Sequence, residues 1–344
     1  MSLTIINPLE IPEWDNLVAE HKAASFFHSS SWARVLYESY RYTPKYFVQF
    51  NNKKISSLVP LMEVKSFLTG KRGVSLPYTD CSPPITHNGY SLKQLIDEVI
   101  EHGDSMAWKT LELRGLDPED LPEEPSTKYL THVLTLTSDE EALASGFNSS
   151  TLRNIKKATR EGITVKEDNS IESILRFWHL NRITRKRHGL PPQPVSFFKN
   201  IHHFIISQGR GRVFHALHKG KSVAGAVFFQ FAGKALFKYG ASDKSFSLFR
   251  PNNLLMAEAI RKYGNEGYQS FHFGRTDLNN EGLRRFKMGW GPRENIVCYF
   301  NYDLTKKHFT NEHVKIKNWQ REILKKTPIP MSSLIGAALH RHMG

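Results

Sequence analysis

The chain has 344 residues, 40% of them hydrophobic and 12% aromatic, which is enough for two domains with real cores and excludes a disordered chain. No run of 18 apolar residues predicts a membrane-spanning helix, and the N-terminal segment lacks the pattern of a signal peptide, so a cytoplasmic location is expected. The two cysteines, Cys81 and Cys298, form no metal-ligand spacing, so no metal site is predicted. The formal net charge of +14 favours a polyanionic partner, although a basic surface also serves solubility alone.

The first half of the chain begins its regular structure with a hairpin. The segment YFVQF-NNKK-ISSLVPLMEV predicts two strands around a polar turn. The segment SLKQLIDEVI then predicts a helix with one apolar face, and WKTLELRG predicts a further strand.

The second half repeats this order. VFHALHKGKSVAGAVFFQF predicts a hairpin that turns at Lys219 and Gly220, and ALFKYGASD predicts the next strand. NNLLMAEAIRKYGNEG predicts a helix that Gly264 or Gly267 can cap, and YQSFHFGR predicts the closing strand. The fold class is therefore α/β (α+β), with a mixed sheet in each of two similar lobes.

A basic helix is predicted between the two halves. Ser138 and Glu141 fit a capping box for a first short helix, and a second helix is expected from Ser149 or Ser150 to Gly162. Residues 151–187 carry ten Lys or Arg against four acidic residues. The helix either presents a solvated face or binds a polyanion; the cations that share its face are Arg153, Lys156, Lys157 and Arg160.

An ordered set of segments carries a family resemblance from about residue 26 to about residue 302: SSSWARVL, LPYTDCSPP, TLRNIKKATREGITV, FWHLNRITRKRHGLPPQPVSFF, ALFKYGASD, RPNNLLMAEAIRKYGNEGY, FHFGRTD and GLRRFKMGWG. Together they resemble the FemA/FemB aminoacyltransferases, a family with two tandem lobes similar to GCN5-related N-acetyltransferases (GNAT). The resemblance implies a first lobe at 1–137, a basic helical connector at 138–165, a second lobe carrying the site at 166–310 and a helical tail at 311–344.

The resemblance implies an acyltransferase without a cofactor. The expected donor is aminoacyl-tRNA or another phosphorylated acyl carrier, and the expected acceptor is an amine of a cell-envelope precursor related to peptidoglycan or exopolysaccharide. The alternatives are an N-acyltransferase that uses acyl carrier protein or acyl-CoA, and a catalytically silent binding protein of the same fold. Aminolysis of an ester needs a positioned carbonyl and a group that stabilises the oxyanion, and needs no covalent intermediate.

Two residues are the predicted catalytic groups. Lys287 in GLRRFKMGWG corresponds, by the resemblance, to the family lysine near the ester end of the tRNA, and Phe286 gives it an apolar frame that predicts substrate contact. Without the resemblance, a surface lysine that covers aromatic side chains is the alternative. Tyr239 in FKYGASD matches a tyrosine that contacts the acceptor; otherwise it is a half-buried strand residue.

Further substrate-binding residues are predicted around the second lobe. The stretch SLFRPNNLL stands where acetyltransferases carry a glycine-rich pyrophosphate loop, so Arg250 and Asn253 are expected to hold donor phosphates, while Asn252 can be a helix N-cap. Arg275 is expected at the site because it ends the predicted strand FHFGRTD, although an ion pair with Asp277 is the alternative. Arg187 and Asp80 match the family pattern, and Asp80 can instead fix its own loop.

Three positions depart from family members that act on nucleotide-linked muropeptides. Leu36, Gln193 and Phe197 stand where those members carry Lys, Arg and Tyr, so the usual diphosphate clamp is missing. The tail contains a short apolar stretch, LIGAAL, which predicts either peripheral contact with the inner membrane face or docking on the protein's own core.

Overall fold

The computed structural model describes residues 3–86, 91–311 and 318–342. The strands are β1 (Thr4–Ile6), β2 (Thr43–Asn51), β3 (Lys54–Ser66), β4 (Gly70–Val74), β5 (Ile85–Thr86), β6 (Thr110–Leu116), β7 (Thr127–Thr135), β8 (Ile163–Glu167), β9 (Gly211–His218), β10 (Lys221–Phe231), β11 (Lys234–Ser242), β12 (Ser270–Asp277), β13 (Arg293–Asp303) and β14 (His308–Thr310). The helices are α1 (Trp14–Ala19), α2 (Ser30–Tyr40), α3 (Leu92–Ser105), α4 (Glu140–Ser145), α5 (Ser149–Arg160), α6 (Ile171–Arg187), α7 (Val195–Ile201), α8 (Pro251–Asn265), α9 (Glu281–Met288), α10 (Asn318–Lys326) and α11 (Ile329–His340).

The described residues form two compact units. Unit 1 takes those within Met1–Leu130, Asn295–Lys315 and Leu339–Gly344, and unit 2 takes those within Thr131–Glu294 and Ile316–Ala338. These bounds differ from the four-part division expected from the sequence, because β13 pairs with β6 and so joins residues 295–303 to unit 1. The finer domain division therefore stays a prediction.

Unit 1 is built on the strand order β1-β2-β3-β4-β6-β13. The pairs β2–β3 and β3–β4 are antiparallel, and α3 carries the chain from β4 to the parallel strand β6. The apolar face predicted for α3 is buried, with Leu95, Ile96 and Val99 at most 1% exposed. They pack in one core with Trp108 and Phe300.

Unit 2 repeats the arrangement with the order β12-β11-β10-β9-β8. The pairs β9–β10 and β10–β11 are antiparallel, and α8 carries the chain from β11 to the parallel strand β12. Its core lies between α8 and the sheet, around Phe228, Tyr263 and Phe271. Each unit thus has three antiparallel strands, a crossover helix and a parallel strand, which confirms the predicted α/β fold.

Two predicted helix caps are wrong, and the predicted glycine after α8 is confirmed. The first short helix is capped by Asp139, whose carboxylate accepts the N–H groups of Glu141 and Ala142, and not by Ser138. Arg250, and not Asn252, is the N-cap of α8, since Pro251 takes the first helical position. After α8 the left-handed residue is Gly267, because Gly264 lies inside the helix.

The C-terminal tail docks on the protein within each unit. In unit 2, a Cβ on Gly336 would lie 2.0 Å from the carbonyl of Pro192, so only glycine fits there. In unit 1, the His340 carbonyl accepts from the hydroxyl of Tyr42 at 2.9 Å. Leu334 is nevertheless 73% exposed, so membrane contact through the tail stays a prediction. Residues 312–317 and 343–344 of the tail lie outside the described residues, and no described helix has the length and hydropathy to cross a membrane.

Candidate active site

The candidate site lies in unit 2, where β11 and β12 stop pairing. The two parallel strands are in register from Lys234 and Ser270 to Leu236 and His272, yet both continue beyond this point. We call residues 237–242 and 273–277 the splayed ends. Neighbouring strand ends that part next to the N-terminus of a crossover helix are a frequent place for ligands in α/β folds.

Backbone irregularities in both strands explain the splay. In the β10–β11 ladder, Val227 pairs with Tyr239 and Phe228 pairs with Phe237, so Lys238 is an extra residue and forms a β-bulge. A bulge bends its strand and increases the local twist. In β12, Gly274 has φ +68°, a conformation that favours glycine.

Lys287 is held against the splayed end of β12. It lies on α9 and is 2% exposed, and its Nζ donates to the carbonyls of Gly274 at 2.9 Å and Arg275 at 3.0 Å. Carbonyls of neighbouring residues point to opposite sides of a regular strand, so the positive φ of Gly274 lets both face one ammonium. These two carbonyls are neutral dipoles that orient the ammonium. The alternative of a surface lysine is wrong.

A polar chain that no local sequence motif predicts lies next to Lys287. His132 on β7 is fully buried, and its Nε2 lies 2.9 Å from a carboxylate oxygen of Glu294. Arg284 donates to both oxygens of the same carboxylate, at 2.8 and 2.6 Å. Only the fold could reveal this chain, because 162 residues separate His132 from Glu294 and no local motif links them.

His132 is neutral near pH 7. Burial lowers its pKa, the nearby Lys287 ammonium lowers it further, and the hydrogen bond to Glu294 only partly opposes these effects. Arg284 lowers the pKa of Glu294, so this carboxylate only accepts and the imidazole Nε2 carries the proton. Nδ1 is then an acceptor, and it has no hydrogen-bond partner among the described residues.

Tyr239 lies on the splayed end of β11, and its ring faces α7. The ring packs edge-on against Phe197, Phe198 and Phe229, with centroids 5.7 to 6.3 Å apart. Lys238 Nζ lies 5.2 Å from the centroid of the Tyr239 ring. Aromatic packing on its edges fixes the ring orientation and therefore the position of the phenol oxygen.

Three more predicted residues lie at the same end of β11. Arg187 of α6 donates to the carbonyl of Ser242 at 3.3 Å. Arg250 is exposed with φ +58°, and Asn253 is 9% exposed in the first turn of α8. α8 is the crossover helix that follows β11 in the chain, so the start of α8 lies near the end of β11 that carries Tyr239.

The basic helix α5 is anchored to α9. The N–H of Asn148 donates to the carbonyl of Gly289 at 2.9 Å, and a Cβ on Gly291 would lie 2.3 Å from the Gly146 carbonyl. Phe286 is half-buried, and its ring packs edge-on against the buried Trp290. On α5, Arg153 and Lys156 are exposed and Lys157 is half-buried, and within the described residues none of the three forms an ion pair.

Asp80 belongs to unit 1, so its predicted contribution to the site stays a prediction. Its carbonyl accepts from the hydroxyl of Tyr299 at 2.8 Å. The positions that depart from the family pattern are buried: Leu36 and Phe197 are fully buried and Gln193 is 6% exposed.

Neither cysteine has the properties of a nucleophile. Burial, aided by Asp80, raises the pKa of Cys81 to about 12, and burial also raises the pKa of Cys298. The described residues contain no cluster of three His, Cys, Asp or Glu side chains that could hold a metal ion.

Comparisons with known proteins agree with this fold. Residues 145–291 match the family model of the acetyltransferase (GNAT) domain. The lipid II:glycine glycyltransferase of Staphylococcus saprophyticus is 24% identical over 59% of this chain, which spans 65% of the length of that relative.

Solved structures agree on the fold. The crystal structure of FemX superposes with a TM-score of 0.68 at 15% identity and covers 86% of this chain and 96% of its own. A tandem GNAT protein from the clavulanic acid biosynthesis pathway gives a TM-score of 0.57 at 12% identity, covering 88% of this chain and 98% of its own. Together, the sequence matches and the fold confirm the predicted resemblance to FemAB-like proteins and the GNAT-like fold.

Proposed function

We propose that this protein transfers an aminoacyl group from aminoacyl-tRNA to an amine of a peptidoglycan precursor, with the reaction at the splayed ends of β11 and β12. The observation that carries the proposal is the buried ammonium of Lys287, held by two backbone carbonyls of the splayed β12 end. The similarity to a lipid II:glycine glycyltransferase supports the class of acceptor.

The chemistry is the aminolysis of an ester. The neutral acceptor amine attacks the ester carbonyl carbon, the new C–N bond forms, and the C–O bond to the tRNA ribose breaks. The amine proton ends on the released ribose hydroxyl. Negative charge develops on the carbonyl oxygen between these events, and a preorganised cation at low dielectric stabilises it more than water does. We assign this role to Lys287.

Two other residues support the site in this scheme. The phenol of Tyr239 orients the acceptor, because its ring is fixed by aromatic neighbours. His132 is a positioning residue that acts through Lys287: its imidazole is neutral, so it adds no positive charge beside the ammonium. A protonated His132 would place another positive charge beside the Lys287 ammonium, and their repulsion would weaken the contacts that hold this ammonium.

The basic helix supports a polynucleotide donor. The exposed cations of α5, Arg153 and Lys156, can bind phosphates, and α5 is bonded to the end of the helix that carries Lys287. The start of α8 offers little to the pyrophosphate of coenzyme A, since Pro251 has no N–H and the N–H of Asn253 already donates to the Arg250 carbonyl at 3.0 Å. A tRNA donor implies that the transfer reaction takes place in the cytoplasm.

The test is a transfer assay with purified protein, tRNA charged with a labelled amino acid, and lipid-linked or nucleotide-linked muropeptide as acceptor. We expect label in the lipid-linked product, because Leu36, Gln193 and Phe197 do not supply the phosphate clamp expected for the nucleotide-linked acceptor. No label in either product, with binding of charged tRNA also absent at low salt, would contradict the proposal.

The match to the GNAT domain makes an acyl-CoA donor the second candidate. The same protein incubated with acyl-CoA and acceptor would release a free thiol, which a colorimetric thiol reagent measures. Thiol release that depends on Lys287, in the absence of any transfer from tRNA, would establish the second candidate instead.

A further inference from the structure

The turn between β3 and β4 carries two exposed apolar side chains side by side. In the sequence KSFLTGK, Phe67 is 85% exposed and Leu68 is 58% exposed. Single exposed apolar residues are common on soluble proteins. Two of them at the tip of a hairpin, with a lysine on each side of the turn, are typical of an interaction surface.

The turn is held in a fixed shape. The hydroxyl oxygen of Ser66 accepts the N–H groups of both Leu68 and Thr69 at 3.1 Å. Since both contacts use lone pairs of Ser66, its proton can donate to Nδ1 of His342, which lies 3.0 Å away. The ring of His342 also packs edge-on against Phe67, with centroids 4.5 Å apart. The two apolar side chains are therefore presented outwards by a preorganised turn.

A basic cleft of about 460 Å³ lies directly behind this tip. Its charged lining residues are Lys65, Lys71 and Arg341, and the side chain of Lys109 runs along the same turn. Glu63 contacts Lys65 at 3.3 Å but is 2% exposed, so it partly offsets one cation and presents no negative surface. The cleft is thus a positive surface with an apolar tip in front of it.

We propose that the β3–β4 hairpin tip docks on an anionic phospholipid surface. Phe67 and Leu68 would enter the boundary between headgroups and acyl chains, and the basic cleft would bind lipid phosphates. A bilayer has this same layering, with an apolar interior under a plane of negative charge. A polynucleotide would match the cations but leave Leu68 without a suitable partner. The proposal does not depend on acyl transfer, since vesicle binding needs neither donor nor acceptor.

The test is co-sedimentation of the full chain with vesicles of phosphatidylcholine alone or with about one third phosphatidylglycerol. We expect salt-sensitive binding to the anionic vesicles only. The double variants Phe67→Ala/Leu68→Ala and Lys65→Gln/Lys71→Gln should each weaken it roughly tenfold. The matched control changes two lysines of the β2–β3 hairpin turn in unit 1, Lys53→Gln/Lys54→Gln, and should bind like the unmodified protein.

A second measurement reports insertion directly. In the variant Phe67→Trp, lipids with brominated acyl chains should quench the added fluorescence, whereas the unmodified protein shows only the background of its own tryptophans. The proposal is overturned if anionic vesicles are not bound, or if the tip and cleft variants bind as tightly as the control. It is also overturned if the introduced indole is not quenched, or if the cleft variant loses tRNA binding and keeps vesicle binding, which would make the cleft a polynucleotide site.

Discussion

The substitution Lys287→Met removes the buried ammonium while keeping most of its volume. The change leaves the carbonyls of Gly274 and Arg275 without their donor, and a buried unsatisfied polar group costs about 1–3 kcal/mol. Met carries no charge, so the variant avoids the desolvation cost of the buried ammonium, which offsets part of this loss. For the two carbonyls together, we expect the free energy of unfolding to fall by about 2–4 kcal/mol. In a transition state stabilised by this cation, the loss of one such group lowers kcat by roughly 10²–10³-fold.

The assay separates the two effects. Urea unfolding gives the stability change, and kcat for transfer is measured at a temperature where circular dichroism shows the variant folded. Lys287→Arg keeps the charge but replaces a compact ammonium by a planar fork, so it should recover stability better than kcat. Lys93→Met, on the exposed face of α3, is the control and should change stability by less than about 0.5 kcal/mol.

Two results would refute the reasoning about Lys287. Unchanged stability would mean that the two carbonyls do not depend on the ammonium. A destabilised but folded Lys287→Met variant with kcat within a factor of about three of the unmodified protein would leave Lys287 a purely structural role.

Three further outcomes test other parts of unit 2. Gly291→Ala should lower the free energy of unfolding by about 3 kcal/mol, against about 1 kcal/mol for Gly209→Ala, because both glycines have positive φ but only Gly291 has a backbone carbonyl where Cβ would go. Burial lowers the pKa of His215 from 6.5 to about 4. As the pH falls, the unfolded chain therefore takes up the proton first, and the free energy of unfolding falls by up to about 3 kcal/mol between pH 6.5 and 4. His215→Gln should flatten this slope when urea unfolding is measured across that pH range. Lys156→Glu/Arg160→Glu should weaken tRNA binding and lower the number of phosphate charges neutralised, read from the salt dependence, by about two. The control Lys306→Glu/Lys307→Glu, on the β13–β14 turn, should leave both unchanged.

Local patterns in the sequence predicted the building blocks well. The hairpins, α3, α5 and α8 follow from apolar periodicity and turn residues, which act between neighbours in the chain. The repeated order of elements predicted two similar lobes, and the parallel pairs β4–β6 and β11–β12 bear this out. Local patterns do not determine the helix ends, since several polar residues compete for each cap, as Ser138 and Asp139 do.

The candidate site could be predicted only in part. Lys287 and Tyr239 were found through the family resemblance, while the chain from His132 through Glu294 to Arg284 had no sequence signal. The aromatic residues around Lys287 indicated an apolar frame, but not that its ammonium would be buried on two carbonyls of β12.

By itself, the sequence determined the elements, their repeated order, the basic face of α5 and the absence of a glycine-rich loop before α8, because each depends on residues close together in the chain. The tertiary structure alone decided where β11 and β12 part, which strand receives Lys287, and that residues 295–303 return to unit 1. The physical reason is that pairing, burial and charge at these places arise between segments far apart in sequence, whose contact only the packed fold creates.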